Sequence, residues 1–299
     1  MMIGDRCFRE IESNCWDPAV RLEECGKAGV DAQVLSTVPV MFSYWARPAD
    51  ALNLSRLLND HLAGIVRDDP RHFAGLGTVP LQDPQLAAGE MERCVRDLGL
   101  AGVEIGTHVG DWNLDAVELF PFFQHAQHLG AAVFVHPWDM LGKERMSRYW
   151  LGWLVGMPAE ATLAICSLIF GGVLERLPHL RVAVAHGGGS FVGTLGRIER
   201  GFTSRPDLVA VDNPVSPRAY LGRFTVDSLV HDAEMLRLLV RRVGPRRVAL
   251  GSDYPFPLGE SVPGALIESL AELTPEDREW LTAGAALEFL GLSRERFQP

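Results

Sequence analysis

The chain has 299 residues, of which 47% are hydrophobic, and this is enough for a sizeable core. Its 28 basic and 38 acidic side chains give a formal net charge of -10. This acidic balance argues against non-specific nucleic-acid binding and against a polybasic membrane anchor, but it allows a small anionic substrate in a pocket that holds a few arginines.

Cysteine usage and the first residues indicate a cytoplasmic protein. The five cysteines are odd in number and form no CxxC or Cys/His pattern, so we expect reduced thiols and no structural zinc site built from cysteines. Residues 1–12 contain no apolar stretch of signal-peptide length, and the apolar segment Ala161–Leu174 is typical of a buried helix. We expect one domain over residues 1–299 and no nucleic-acid or membrane partner.

Short apolar stretches alternate along the chain with segments of helical periodicity. The stretches are rich in Val, Ile, Leu and Phe without clean alternation, which is typical of strands buried on both faces of a parallel sheet. The predicted strands, in chain order, are Gln33–Val38, Phe73–Val79, Gly102–Gly106, Ala131–Val135, Arg181–Ala185, Arg223–Asp227 and Val248–Gly251. The predicted helices are Ala49–Val66, the segment from Asp83–Pro84 to Gly99, Ala116–His128, Pro158–Glu175, Ser190–Gly201 and Asp232–Val243, with at least two more in Glu260–Leu290.

This alternation predicts an α/β fold, either a TIM-type (β/α)8 barrel or a doubly wound sheet. A barrel needs eight strands, whereas the pattern gives seven, and the sequence before Gln33 holds no good strand candidate. Either one strand has no clear signal, the sheet is open, or one βα unit is absent.

Polar, titratable residues follow three of the predicted strands. They are His136 in HPWD, His186 in HGGG and Asp253 in GSDYPFP. Ligands of parallel α/β folds bind beyond the carboxyl ends of the strands, and imidazole and carboxylate both suit a zinc-like cation. A lone histidine after a strand is more often structural, and Asp253 is also placed to cap the next segment, but three such residues at equivalent positions favour a catalytic or metal site.

Other polar residues give weaker signals. Arg9 and Arg197 have the geometry to bind a carboxylate, although most arginines are solvated surface charges. Asp227 ends a strand and is placed to orient a ligand. HGGG also occurs in esterase oxyanion segments, but the sequence has no GxSxG nucleophile elbow.

Longer strings are more specific than these single residues. Among them are HPWDM at 136–140, WLVGMPAE at 153–160, AHGGGSF at 185–191 and SDYPFPLGE at 252–260. With these strings the chain resembles the 2-amino-3-carboxymuconate-6-semialdehyde decarboxylase family of the amidohydrolase superfamily. The likeness runs from about residue 8 to the end of the chain.

The resemblance implies a TIM-type barrel with one zinc ion, a homodimer, and non-oxidative decarboxylation of a small carboxylated substrate in the kynurenine branch of tryptophan catabolism. It implies that His136 and Asp253 bind the metal and that His186 is the acid/base histidine. It further implies that Arg9 binds a substrate carboxylate. Three further residues match, namely Arg197 as an arginine that reaches the neighbouring subunit's site, and Trp150 and Phe256 as pocket aromatics.

One feature departs from the family pattern. The family begins with a strand that carries HxH, which supplies two more metal ligands, and this chain contains no HxH. We therefore expect an N-terminally truncated barrel without its first strand and with an incomplete ligand set. Two alternatives stay open: a related decarboxylase or hydrolase acting on another carboxylated substrate, or an inactive paralogue that still dimerises, which the missing HxH supports.

Overall fold

A parallel sheet of seven strands forms the centre of the protein. The structure is a computed structural model that describes residues 2–3, 5–7 and 9–298. The strands of the sheet are β1 (Gln33–Leu35), β2 (Phe73–Thr78), β3 (Gly102–Gly106), β4 (Ala132–His136), β5 (Arg181–Val184), β6 (Thr225–Asp227) and β7 (Val248–Ala249).

The strands lie side by side in the order in which they occur in the chain. Each is paired in parallel with the next, from β1 at one edge to β7 at the other. A doubly wound sheet reverses its order at a switch point, so this order excludes that alternative and gives the TIM-type arrangement. Within the described residues β1 and β7 are not paired with each other, and the curled sheet is open there.

Helices connect the strands and cover the outside of the sheet. They are α1 (Pro18–Lys27), α2 (Pro48–Asp68), α3 (Pro84–Arg96), α4 (Phe120–Leu129), α5 (Met157–Phe170), α6 (Val173–Arg176), α7 (Phe191–Ser204), α8 (Pro206–Val209), α9 (Ala233–Val243), α10 (Ala265–Glu268), α11 (Pro275–Glu279) and α12 (Ala285–Leu290). The Asp83 carboxylate accepts hydrogen bonds from two backbone N–H groups at the start of α3, and Pro84 follows it, as the sequence predicts.

The α5 segment is strongly apolar. Together with a preceding π-helical turn it forms the segment Gly152–Phe170, whose 19 residues are long and apolar enough to cross a membrane by length and composition alone. Half of its most apolar stretch is buried inside the protein, which is typical of a core helix. The expectation of a buried helix is therefore confirmed for this region, although the helix breaks at Gly171 and resumes as α6.

The interior of the curled sheet is apolar at one end and polar at the other. Leu76, Ala132 and Ala183 of three strands pack against Phe289 and Leu290 of α12, which close the end where the strands begin. A cavity of about 720 Å³ lies between these packed side chains and the carboxyl ends of the strands. The fold therefore leaves its open volume at the end where the sequence places its titratable residues.

Several elements differ from the predictions. Helix α1 was not predicted, the predicted helix Pro158–Glu175 is divided into α5 and α6, and two-residue antiparallel pairs occur at Met2–Ile3 with Arg6–Cys7 and at His108–Val109 with Trp112–Asn113. The seven sheet strands, in contrast, all lie inside their predicted ranges or within one residue of them, although β1 ends three residues before its predicted end at Val38.

Strands β3 and β4 approach each other closely at Gly102, and a substitution there tests the packing of the sheet. A Cβ added to Gly102 would lie 1.9 Å from the carbonyl oxygen of Ala132, so Gly102→Ala must displace backbone. We expect a loss of about 1–3 kcal/mol or more in the free energy of unfolding, measured by urea denaturation. Gly89→Ala in α3 is the control, since a Cβ there meets nothing within 4 Å, and it should stabilise the protein by about 0.5–1 kcal/mol. Equal stability of the two variants would contradict the described packing.

Candidate active site

Three titratable side chains meet where the strands end. His136 is the last residue of β4, His186 follows β5 after one residue, and Asp253 lies four residues after β7. One ligand atom from each lies within 4.8 Å of the others. The ring centres of His136 and His186 are 4.8 Å apart, and Nε2 of His136 lies 4.0 Å from Oδ1 of Asp253. The structure thus brings together the three residues that the sequence singled out.

His136 is held as a neutral imidazole. Its Nδ1 lies 3.0 Å from the carbonyl oxygen of Pro137, which only accepts hydrogen bonds, so Nδ1 carries the proton and Nε2 keeps a free lone pair. Burial, followed by the charge of nearby His186, lowers the pKa of His136 to about 3. Its contact with Asp253 is therefore not an ion pair at neutral pH, and Nε2 is available to a Lewis acid.

The backbone at His186 is held by Asp227 at the end of β6. Both carboxylate oxygens of Asp227 accept backbone hydrogen bonds, from N–H of His186 and of Gly187, each at 2.8 Å. His186 has a φ of 58°, a left-handed value that is unusual for a residue with a side chain. Asp227, considered as a ligand-orienting residue from the sequence, thus orients the loop that carries His186.

The following glycines allow this loop to approach α5. Gly189 has a φ of 62°, and a Cβ there would lie 2.1 Å from the carbonyl oxygen of Pro158. Any other residue would push the loop away from the helix and displace His186. The glycine run is therefore explained by packing as well as by ligand access.

Asp253 is presented by a loop that folds back on itself. Its φ of 51° is again left-handed, and its carbonyl oxygen accepts a hydrogen bond from N–H of Phe256 at 2.8 Å. N–H of Glu260 donates to the carbonyl oxygen of Ser252 at 2.9 Å and closes the loop. Phe256, within this loop, lines the same pocket as Asp253.

An arginine and several aromatic rings line a small pocket beside the cluster. The pocket has a volume of about 60 Å³, and its lining includes Arg9, Trp150 and Phe256 together with His136 and Asp253. The Arg9 guanidinium lies 5.3 Å from the centre of the Phe256 ring. These three predicted substrate-binding residues therefore surround the same volume as the two predicted metal ligands.

Arg197 is the one predicted site residue that lies elsewhere. It is exposed on α7 and lines neither this pocket nor the larger cavity. Within one chain the structure does not bring Arg197 to the cluster, and its predicted role in a neighbouring subunit's site stays a prediction.

Sequence reasoning missed Glu104. This residue of β3 is 1% exposed and lines the larger cavity together with the three clustered residues. Burial raises the pKa of its carboxyl to about 8, while a hydrogen bond from Ser36 acts in the opposite direction. The available signal was a single acidic residue inside the apolar strand GVEIG.

Sequence comparison matches the chain to a protein family and to two similar proteins. The family model described as amidohydrolase matches residues 10–292. The 2-amino-3-carboxymuconate-6-semialdehyde decarboxylase of Dictyostelium discoideum is 59% identical over 297 residues, which cover 99% of this chain and 83% of the relative. The protein of the same name from Caenorhabditis elegans is 36% identical, with 98% of this chain and 85% of the relative covered.

A solved structure shows the same fold. The 5-carboxyvanillate decarboxylase LigW from Sphingomonas paucimobilis superimposes with a TM-score of 0.83 and 26% identity, covering 92% of this chain and 83% of that one. The chain belongs to the amidohydrolase family.

Proposed function

We propose that this chain is a zinc-dependent decarboxylase that removes carbon dioxide from 2-amino-3-carboxymuconate-6-semialdehyde without oxidation. The observation that carries the proposal is the convergence of His136, His186 and Asp253 beside an arginine-lined pocket. It is supported by 59% identity to the Dictyostelium enzyme of that name over 99% of the chain.

The donor set fits a divalent cation. A neutral imidazole with a free Nε2 and a carboxylate oxygen are both ligands that zinc accepts. The ring of His136 is oriented by its hydrogen bond to the Pro137 carbonyl, and the loop of Asp253 is closed by backbone hydrogen bonds. When bound, such a cation lowers the pKa of a coordinated water molecule and supplies a nucleophile near neutral pH. His136 and Asp253 are the residues that would hold it.

Arg9 and the aromatic side chains account for substrate binding. The Arg9 guanidinium matches the geometry of a carboxylate and would fix one carboxyl group of the substrate. Trp150 and Phe256 give the pocket an apolar wall against which a planar conjugated chain packs. An apolar wall also favours loss of carbon dioxide, because the charge of the departing carboxylate is poorly solvated there.

His186 would move the proton. Breaking the bond to the carboxyl carbon leaves its electron pair on the substrate, and a proton must be delivered to that carbon to complete the reaction. His186 lies 4.8 Å from His136 between ring centres, and it lines the larger cavity together with His136 and Asp253. Asp227 fixes its orientation through the backbone.

We further propose that the protein acts as a cytoplasmic homodimer in tryptophan catabolism. Arg197 is exposed on α7, so it is accessible to a second subunit. In such a dimer each site would combine Arg9 of one chain with Arg197 of the other.

Replacement of His186 tests the acid/base role. His186→Ala should reduce decarboxylation by at least about a hundredfold while the bound zinc content stays unchanged, because the proton donor is lost but His136 and Asp253 remain. His128→Ala, an exposed histidine on α4, is the control and should keep both turnover and zinc. Loss of zinc in His186→Ala would show that His186 is a ligand and would contradict the assignment.

Replacement of Asp227 tests the positioning of His186. In Asp227→Asn an amide with one acceptor oxygen cannot receive both backbone N–H groups as the carboxylate does. We expect kcat to fall about 10–100-fold, with KM and zinc affinity little changed. Asp232→Asn, which alters the side chain that caps α9, should leave kcat as it is. A fall in zinc affinity equal to the fall in kcat would count against a positioning role.

Mixed dimers test the shared site. Arg9→Ala and Arg197→Ala should each be inactive alone, whereas mixing them after dissociation and reassociation should restore about a quarter of normal turnover, because half of the dimers are mixed and each has one intact site. A variant that carries both substitutions, mixed with itself, is the control. Absence of recovery in confirmed mixed dimers would contradict the arrangement.

A further inference from the structure

Glu160 connects two chain segments at the end of the sheet where His136 lies. This residue of α5 is 3% exposed. Its Oε1 accepts a hydrogen bond from the backbone N–H of Leu141 at 2.7 Å, and its Oε2 accepts one from the hydroxyl of Thr107 at 3.1 Å. Thr107 directly follows β3 and Leu141 lies beyond the end of β4, so one carboxylate joins the segments that leave two neighbouring strands.

The segment between His136 and Leu141 shapes the candidate site. The Pro137 carbonyl oxygen accepts a hydrogen bond from Nδ1 of His136 at 3.0 Å and thereby determines which ring nitrogen keeps its lone pair. Trp138, the next residue, lines the small pocket that Arg9 also lines. A displacement of this segment would therefore change both the ring of His136 and the wall of the pocket.

The segment depends on α5 for its shape. Asp139 has a φ of 58°, and a left-handed backbone of this kind persists where the surrounding structure imposes it. Met140 is 8% exposed, and a Cβ added to Gly156 would lie 2.9 Å from its side chain. Gly156 lies about one helical turn before Glu160, so one face of the helical segment contacts both Met140 and Leu141.

The first turns of α5 also contact the loop that carries His186. The hydroxyl of Thr162 donates to the carbonyl oxygen of Pro158 at 2.7 Å and accepts from N–H of Ser190 at 2.8 Å. The start of α5 is thus a common support for the segments that follow both histidines. Glu160 is the charged residue of this support.

Packing alone does not explain a carboxylate at this position. Burial of a charge is costly, and an apolar side chain of similar volume would pack α5 against the sheet at a lower cost. A carboxylate, however, presents two acceptor oxygens on one rigid group, and its charge shortens and strengthens the hydrogen bonds that it accepts. These properties suit a residue that fixes two donors from different segments relative to each other.

We propose that Glu160 is a positioning residue for the decarboxylation, which fixes the segment from Pro137 to Leu141 against α5 and thereby sets the ring of His136 and the position of Trp138. The inference rests on the proposed function, since it concerns the residues that would hold the cation and line the substrate pocket. Glu160 lines neither the small pocket nor the larger cavity, so it acts through the segment that it binds.

Four variants of the whole chain test this role. Glu160→Ala removes both hydrogen bonds, and Thr107→Val removes one of them. Glu160→Gln is the conservative variant, because its amide oxygen can accept from N–H of Leu141 while its NH₂ group donates to the Thr107 hydroxyl. Glu90→Ala is the matched control, since Glu90 is 2% exposed on α3 and accepts its hydrogen bond from Asn59 of α2, a helix on the outside of the sheet.

Three properties are measured for each variant, well below its Tm. They are kcat and KM for decarboxylation, the affinity of the chelator-treated protein for Zn²⁺ by calorimetry, and the tautomer of His136 in the metal-free protein by ¹⁵N NMR of labelled histidines. The tautomer does not depend on turnover, so it tests the positioning separately from the proposed function.

Glu160→Ala should lower kcat and zinc affinity at least about tenfold each and should convert the Nδ1-protonated ring of His136 into a mixture of tautomers. Thr107→Val should show smaller changes of the same kind, and it carries the test if Glu160→Ala does not fold. Glu160→Gln should recover most of the loss. Glu90→Ala should lower Tm at least as much as Glu160→Ala without changing kcat, zinc affinity or the tautomer.

A purely structural role gives a different result. If Glu160→Ala and Thr107→Val lower Tm but keep the kcat, zinc affinity and His136 tautomer of the parent, the inference is wrong and the proposed function stands. If the parent neither binds zinc nor turns over, the proposed function is wrong. In that case a changed tautomer in Glu160→Ala still supports the positioning, and an unchanged one overturns it.

Discussion

The parallel register of the sheet is the constraint on which the site depends. Side chains alternate along each strand, so a shift of one residue between β3 and β4 would turn either Glu104 or His136 away from the interior. The close approach at Gly102, where no side chain fits against Ala132, fixes that register. Because all seven strands run in the same direction, the loops that carry His186 and Asp253 then meet His136 at one end of the sheet.

Three polar groups of the site differ in their surroundings: His136 and Glu104 are buried, whereas Asp227 is half-buried. His136 is kept neutral by burial, and the carboxylate of Asp227 accepts hydrogen bonds from three backbone N–H groups, those of His186, Gly187 and Leu229. Glu104 retains an oxygen without a partner. The first two arrangements give a candidate ligand and an oriented loop. Such features cost stability and are retained where function requires them.

Much of this could be predicted from the sequence. The seven strands are recognisable because each is a short apolar run bounded by turn residues, and the position of His136, His186 and Asp253 after such runs predicts their proximity. Helix α1 was not predicted because its hydrophobic periodicity is weak, since Cys25 is its only buried residue. Asp17 and Pro18 nevertheless carry the same capping signal as Asp83 and Pro84. Glu104 was not singled out because one acidic residue within an apolar strand does not reveal which face of the sheet it occupies or whether it has a hydrogen-bond partner. The role of Arg197 depends on a second chain, about which a single sequence and a single subunit give no direct information.

The most direct test of the account is carbon dioxide release from 2-amino-3-carboxymuconate-6-semialdehyde, measured while zinc is added in steps to the metal-free protein. The account predicts no turnover without metal, a linear rise up to one zinc per chain, and no further increase beyond that ratio. Turnover that does not depend on zinc, or no turnover at any ratio, would contradict it.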